Sequence, residues 1–210
     1  MLRWLSPLLL ILGLLVLLLL WGRVPEVWPV HWGPGGQPDG WSHKEGVTAF
    51  LPFLLGALVW AALEAVALFV VRQGKALPVL SSGYVAMVRW VAVAIVLATV
   101  YTGLALPLLQ PPVTVSVAVI LLGVGLACAL GFWSILDAAR KSREAGEELP
   151  EGYGALAYKN PDDPRIFVPK LFGMGQTLNF AHPSAWLILA VILALPALVI
   201  GSVLLATAGR

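Results

Sequence analysis

Five stretches of this chain are each long enough to cross a lipid bilayer and almost free of charge, and that pattern limits its possible folds more than any motif does. A helix needs about 20 mostly apolar residues to traverse the hydrocarbon core. Trp4 to Trp21, Val47 to Val71, Tyr84 to Leu109, Pro112 to Leu136 and Pro183 to Thr207 all approach or exceed that length. Within lipid the backbone N–H and C=O groups have no water to bond, so such runs form helices rather than loops or open sheet edges. Composition agrees: 60% of the 210 residues are hydrophobic and 11% are charged, against about 25% charged in a soluble domain. The expected fold is an all-α integral membrane protein of five transmembrane helices, with a small cytoplasmic segment able to form a β-hairpin.

The same composition removes several function classes. A net charge of +2, with the Lys and Arg scattered, gives no basic stripe for nucleic acid. The single cysteine, Cys128, lies in an apolar run and offers neither an intrachain disulfide nor a thiolate cluster. The first apolar stretch begins like a secretory signal, with Arg3 before a leucine run. Trp21, Gly22, Arg23, Val24 and Pro25 follow it instead of a small-residue cleavage site, so an uncleaved anchor is expected.

Orientation follows from Lys and Arg, which short cytoplasmic loops retain. Arg3 precedes the first span, Arg72 and Lys75 follow the second, and Arg140, Lys141, Arg143, Lys159, Arg165 and Lys170 follow the fourth. With five spans these share one side. The expectation is a multi-pass protein of the bacterial inner membrane, N-terminus cytoplasmic and C-terminus extracytoplasmic. Residues 1–137 form a four-helix region with an ordered extracytoplasmic loop at 22–46, residues 138–182 a cytoplasmic helix extension and compact module, and residues 183–210 the fifth transmembrane helix. Gln110-Pro111-Pro112 breaks the third span from the fourth, because consecutive prolines end a helix, and a tight helical hairpin is expected there. Small residues at Gly123, Gly125, Ala127, Ala129 and Gly131 suit close helix approach in lipid.

The outer loop carries the first candidate residues: His31, Trp32, Asp39, Trp41 and Lys44. Gln37-Pro38-Asp39-Gly40 has tight-turn chemistry, which assigns Asp39 the role of capping its own turn. The tryptophans suit the headgroup zone. His31, Asp39 and His43 have metal-ligand chemistry but not the spacing of a recognised zinc motif, so no metal and no cofactor are expected. The pattern Pro29-x-His31-Trp32-Gly33, Gly36-x-Pro38-Asp39-Gly40-Trp41 and Lys44, directly after a first hydrophobic helix, resembles the bacterial SdpI-like membrane proteins. That resemblance covers the first span, the loop and the second span. It implies a sensing or immunity role, the family name deriving from immunity to a secreted peptide toxin.

Ionisable residues inside spans are costly and therefore signal pairing or function. Glu64 and Arg89 fall about 10 Å and about 8 Å inside the cytoplasmic ends of the second and third spans at 1.5 Å per residue. Similar depth on consecutive helices predicts an ion pair, which Asp137 at the end of the fourth span could join. Arg89 snorkelling to headgroups is the competing arrangement.

In the cytoplasmic segment the candidates are Asn160, Asp162, Asp163, Arg165, Lys170 and Asn179. Asn160-Pro-Asp-Asp-Pro signals a turn, and Arg165 to Val168 and Gln176 to Phe180 are short enough to be paired strands. Its Tyr-x-Asn-Pro-x-Asp-Pro-Arg and Val-Pro-Lys patterns resemble a recurring module of bacterial membrane proteins. No nucleophile-base set, phosphate loop or zincin motif is present, and no catalytic residue is assigned. The expected partners are the lipid bilayer and a protein or peptide. The expected function is of the sensing, immunity or scaffolding type, coupling the outer loop to the inner module. The alternatives are a small transporter or ion-coupled carrier using Glu64 and Arg89, and a membrane-bound metalloenzyme using His31, Asp39 and His43.

Overall fold

A computed structural model describes the backbone of residues 2–33, 36–45 and 47–208, with side chains described through 195 and at Leu198 in the final helix. Helix α1 (Leu2–Leu19) leads to a hairpin of strands β1 (Val27–Trp32) and β2 (Pro38–His43). Helices α2 (Leu51–Gln73), α3 (Pro78–Leu109) and α4 (Val113–Glu144) follow. A second hairpin, β3 (Phe167–Pro169) and β4 (Gln176–Leu178), precedes helix α5 (Pro183–Ala208). Both hairpins are antiparallel two-stranded sheets.

Among the described residues four helices are long and apolar enough to span a membrane: Leu2–Leu19, Leu51–Ala76, Pro78–Leu109 and Val113–Glu144. The protein is therefore a multi-pass membrane protein. The expected fifth span falls on α5, a helix of 26 residues, of which the continuous portion with described side chains, Pro183–Leu195, is apolar but too short by itself to count as a crossing. Many large side chains face outward, among them Leu19, Leu58, Leu122 and Trp133. In water such a surface would aggregate; in a bilayer it meets acyl chains.

With lipid outside, helices gain little from apolar contact alone and close on small residues instead. α1 buries Ser6, Leu10, Gly13 and Leu17, one face at helical spacing. A Cβ on Gly13 would lie 2.8 Å from Val100 and 3.0 Å from Phe53, and one on Gly103 would lie 2.6 Å from the same Phe53 ring. Phe53 of α2 is thus wedged between glycines of α1 and α3. α3 and α4 close where a Cβ on Gly83 would meet Ala138 at 2.5 Å, with Gly131 lying against Met87. Gly123 and Gly125, suited by composition to a helix contact, face open space. The turn between the two helices is the expected one, with Gln110 at φ 45° closing α3 and Pro112 standing just before α4.

Two apolar clusters fill the bundle. One, around Leu17, Trp28, Phe53, Val96 and Leu106, underlies the β1–β2 hairpin. The other, around Ala67, Leu80, Val85, Ala139 and Phe172, underlies the β3–β4 module. The bundle thus has a hairpin end and a module end.

Candidate functional site

Between the apolar clusters lies a buried charge centre. Glu64 of α2 is 8% exposed. The Arg89 guanidinium of α3 donates to it twice, from Nη2 to Oε1 at 2.7 Å and from Nε to Oε2 at 3.1 Å. This fork geometry is the strong form of a charge-assisted bond. The sequence did not signal the third member, Arg3 of α1, whose Nε lies 3.2 Å from Glu64 Oε1 and whose guanidinium also stands 5.4 Å from the Trp4 ring centroid. Two guanidiniums against one carboxylate leave one positive charge at this depth. Burying a carboxylate in an apolar bundle costs several kcal/mol unless it is paired, so the centre ties α1, α2 and α3 together through one residue.

Asp137 is not part of this centre. It accepts from Arg140 at 2.9 Å and Lys141 at 2.6 Å on its own helix. The i+3 and i+4 spacing of those cations is a sequence signal that outweighs the expected join to Glu64.

In the outer hairpin the strands close at Gly33 and Gln37, where the Gly33 N–H donates to the Gln37 carbonyl, and Gly36 adopts a φ of 73°. Pro38, Asp39 and Gly40, expected as the turn, lie in β2 instead. The reason is close approach: Gly40 pairs with His31, and a Cβ there would come 2.7 Å from His31 Cβ. Only glycine fits. Asp39 accordingly does not cap a turn; its Oδ1 lies 2.5 Å from His31 Nδ1. His43 sits opposite Val27, at the far end of the ladder from His31. It lies four residue steps along β2 from Asp39, about 13 Å, and among the described residues no group of three metal-ligating side chains assembles.

The loop tryptophans divide. Trp28 is buried in the apolar cluster beside Leu106, Trp21 stacks on Phe50 at 5.3 Å, and Trp41 is exposed. Trp32 is partly buried against the same cluster. Lys44 lies over the Trp21 ring, 5.7 Å from its centroid, and 3.8 Å from Glu26.

The module is organised by Asn179, which is fully buried. Its Oδ1 accepts from the N–H of Asn160 and of Ala181, both at 3.1 Å, and its Nδ2 donates to the carbonyls of Asn160 at 2.8 Å and Asp163 at 3.0 Å. Every donor and acceptor of that amide is used. Asp163 is a second hub. It takes the Arg165 guanidinium, the Arg165 N–H and the Tyr158 hydroxyl, and the arginine holds its carboxyl far below the usual carboxylate range. His182 Nε2 meets the Asp163 carbonyl at 2.8 Å. Asn160 Oδ1 accepts from Asp162 N–H, a local turn bond. Lys170 is exposed beside a cavity of about 320 Å³ between module and bundle, lined also by Tyr84, Tyr158 and Phe172. The spacing of Tyr158, Asn160, Asp163 and Arg165 thus has a structural explanation: it closes one hydrogen-bonded knot.

Sequence reasoning also missed Glu147. Its carboxylate accepts from the N–H groups of Val79 at 2.6 Å and Leu80 at 3.0 Å, the free donors at the start of α3, and from the Ser142 hydroxyl at 2.6 Å. The Tyr84 hydroxyl donates to the Ala155 carbonyl, and the Tyr84 ring meets Phe172 edge-on at 5.1 Å.

Residues 8–63 match the family model of a domain of unknown function, DUF1648, and residues 161–186 match that of a family of unknown function, DUF5808. The first match spans most of α1, the outer hairpin and half of α2, the stretch in which the SdpI-like resemblance lies. The second holds Asp163, Arg165, Lys170, Asn179 and His182. Arg3, Glu64 and Arg89 lie outside both. No curated protein and no solved structure matches the chain.

Proposed function

We propose that this protein couples an extracytoplasmic hairpin to a cytoplasmic module across the bacterial inner membrane, in a role of the sensing, immunity or scaffolding type with a protein or peptide partner. One observation carries the reading: both appendages dock on the same helix. Trp28 of the hairpin packs with Leu106 near one end of α3, and the module grips Tyr84 near the other. The 22 residue steps from Tyr84 to Leu106 span about 33 Å at 1.5 Å each, close to the thickness of a hydrocarbon core.

The Lys and Arg distribution supports a cytoplasmic module and an extracytoplasmic hairpin. Returning the chain after the module gives α5 as a fifth crossing and an extracytoplasmic C-terminus. His31, Trp32, Asp39 and Trp41 then form the outer recognition face, and Asn160, Asp162, Asp163, Arg165, Lys170 and Asn179 build the inner one.

Coupling between two sites is reciprocal, and hydrogen exchange tests it. Trp28→Ala should raise amide exchange in residues 153–180 as well as in the hairpin, and Tyr84→Phe should raise exchange in the hairpin as well as in the module. If each change stays within its own appendage, α3 does not couple them.

A further inference from the structure

We propose that a groove at the module end of the bundle binds the phosphate-bearing headgroup of an anionic membrane lipid, with Lys75 and Arg89 as its cationic partners. The groove, about 490 Å³ in volume, runs along one face of α3. Pro78, Ser82, Val85 and Arg89 of that helix line it at i, i+4, i+7 and i+11, so it extends about 16 Å along the helix axis. Val71 and Lys75 form part of its other wall.

Two features of the lining select the ligand. Among the described residues its only ionisable side chains are Lys75 and Arg89, both basic, and no carboxylate lines it. Glu64, the nearby acid, is shared between Arg89 and Arg3, so the local balance of Arg3, Arg89, Lys75 and Glu64 is two positive charges. Lys75 makes no ion pair among the described residues. The rest of the lining is small or apolar. A cationic, otherwise apolar groove between membrane helices fits an amphiphile, with its phosphate at the basic groups and its chains along Val71 and Val85. Basic pockets between transmembrane helices are a general solution for anionic headgroups. The site is independent of any coupling between hairpin and module.

The test uses the full chain purified in a neutral detergent, with thermal unfolding followed by tryptophan fluorescence during titration with phosphatidylglycerol, phosphatidylcholine or inorganic phosphate. Saturable stabilisation by phosphatidylglycerol alone is expected. A membrane-surface cation contributes about 1 kcal/mol, so Lys75→Gln should weaken the apparent affinity by about fivefold. Arg23→Gln, at the hairpin end, should leave it unchanged. Arg89→Lys keeps a charge for Glu64 but loses the fork, and should also weaken phosphatidylglycerol binding while the protein stays folded. Equal stabilisation by phosphatidylcholine would overturn the proposal. So would an unchanged phosphatidylglycerol affinity in Lys75→Gln, and stabilisation by inorganic phosphate equal to that by lipid would assign the groove to the free anion instead.

Discussion

Glu64 carries obligations to three helices, and its replacement separates pairing from mere burial. Glu64→Ala leaves Arg89 and Arg3 facing each other without a counter-ion, and a broken buried pair costs about 3–5 kcal/mol. Glu64→Leu combined with Arg89→Met should cost well under the sum of the two single changes in a denaturant-unfolding cycle; strict additivity would show that the residues do not interact. Arg3→Ala should be milder, about 0–1 kcal/mol, because its side chain is half exposed. Asn179 makes a different prediction. Asn179→Ala removes four satisfied bonds and strands their buried partners, a loss of about 3 kcal/mol, and Asn179→Asp should fall between parent and alanine because it keeps the acceptor. Proteolysis within residues 150–182 reads that order. The contact between Glu64 and Arg89 was legible because charges stand out in apolar runs and depth follows from residue count. Arg3 was not, since the axial offset of α1 against α2 is written nowhere in the sequence. Asp39 was misread because Pro-Asp-Gly is strong turn chemistry, which here gives way to the need for glycine opposite His31.

At the scale of elements, the start of α3 depends on a carboxylate 68 residues further along the chain, a separation no local pattern announces. Burial pushes the Glu147 carboxyl up, but the Ser142 hydroxyl and the N–H groups of Val79 and Leu80 together outweigh it and leave it below its ordinary value of 4.5. A lowered folded-state value means that this stabilisation is fully present above about pH 4.5 and is lost as pH falls through the lower, folded value. The parent should therefore lose stability on acidification from about pH 6 to pH 3 more steeply than Glu147→Gln. Removing the cap altogether with Glu147→Ala should cost about 1–2 kcal/mol at neutral pH. Parallel slopes for parent and Gln variant would show that the cap does not titrate with folding. The α3–α4 seam makes a steric prediction: Gly83→Leu has no room against Ala138 and Ser134 and should cost about 1–3 kcal/mol in thermal unfolding, whereas Gly125→Leu, which faces open space, should be nearly neutral. Glycine content marked α4 as a packing helix, but only neighbours in space distinguish a glycine in a seam from one facing lipid.

For the whole molecule, the order of apolar runs and punctuating prolines was legible almost throughout, because length and hydropathy alone determine where a chain can cross lipid. Which side each loop occupies is a separate question, and cysteine labelling answers it. In a variant lacking Cys128, Glu45→Cys should react with a membrane-impermeant reagent in intact cells and Glu151→Cys only after lysis; both positions are exposed. Reaction of both in intact cells would refute the proposed orientation. The placement of Arg3 and Gly13 also bears on how α1 finds its seat. A helix clad in near-identical leucines can slide along its neighbours, each shift of one turn, about 5.4 Å, exchanging one leucine for another at little cost. The Gly13 notch over Phe53 and Val100 and the reach of Arg3 to Glu64 are the two points that break this degeneracy. Swapping leucines of α1 for isoleucine should then leave a disulfide-trapping ladder between α1 and α3 with a single strong rung, while Arg3→Leu should spread it over several. The leucines hold the first helix in the membrane, and one glycine and one arginine tell it where to stop.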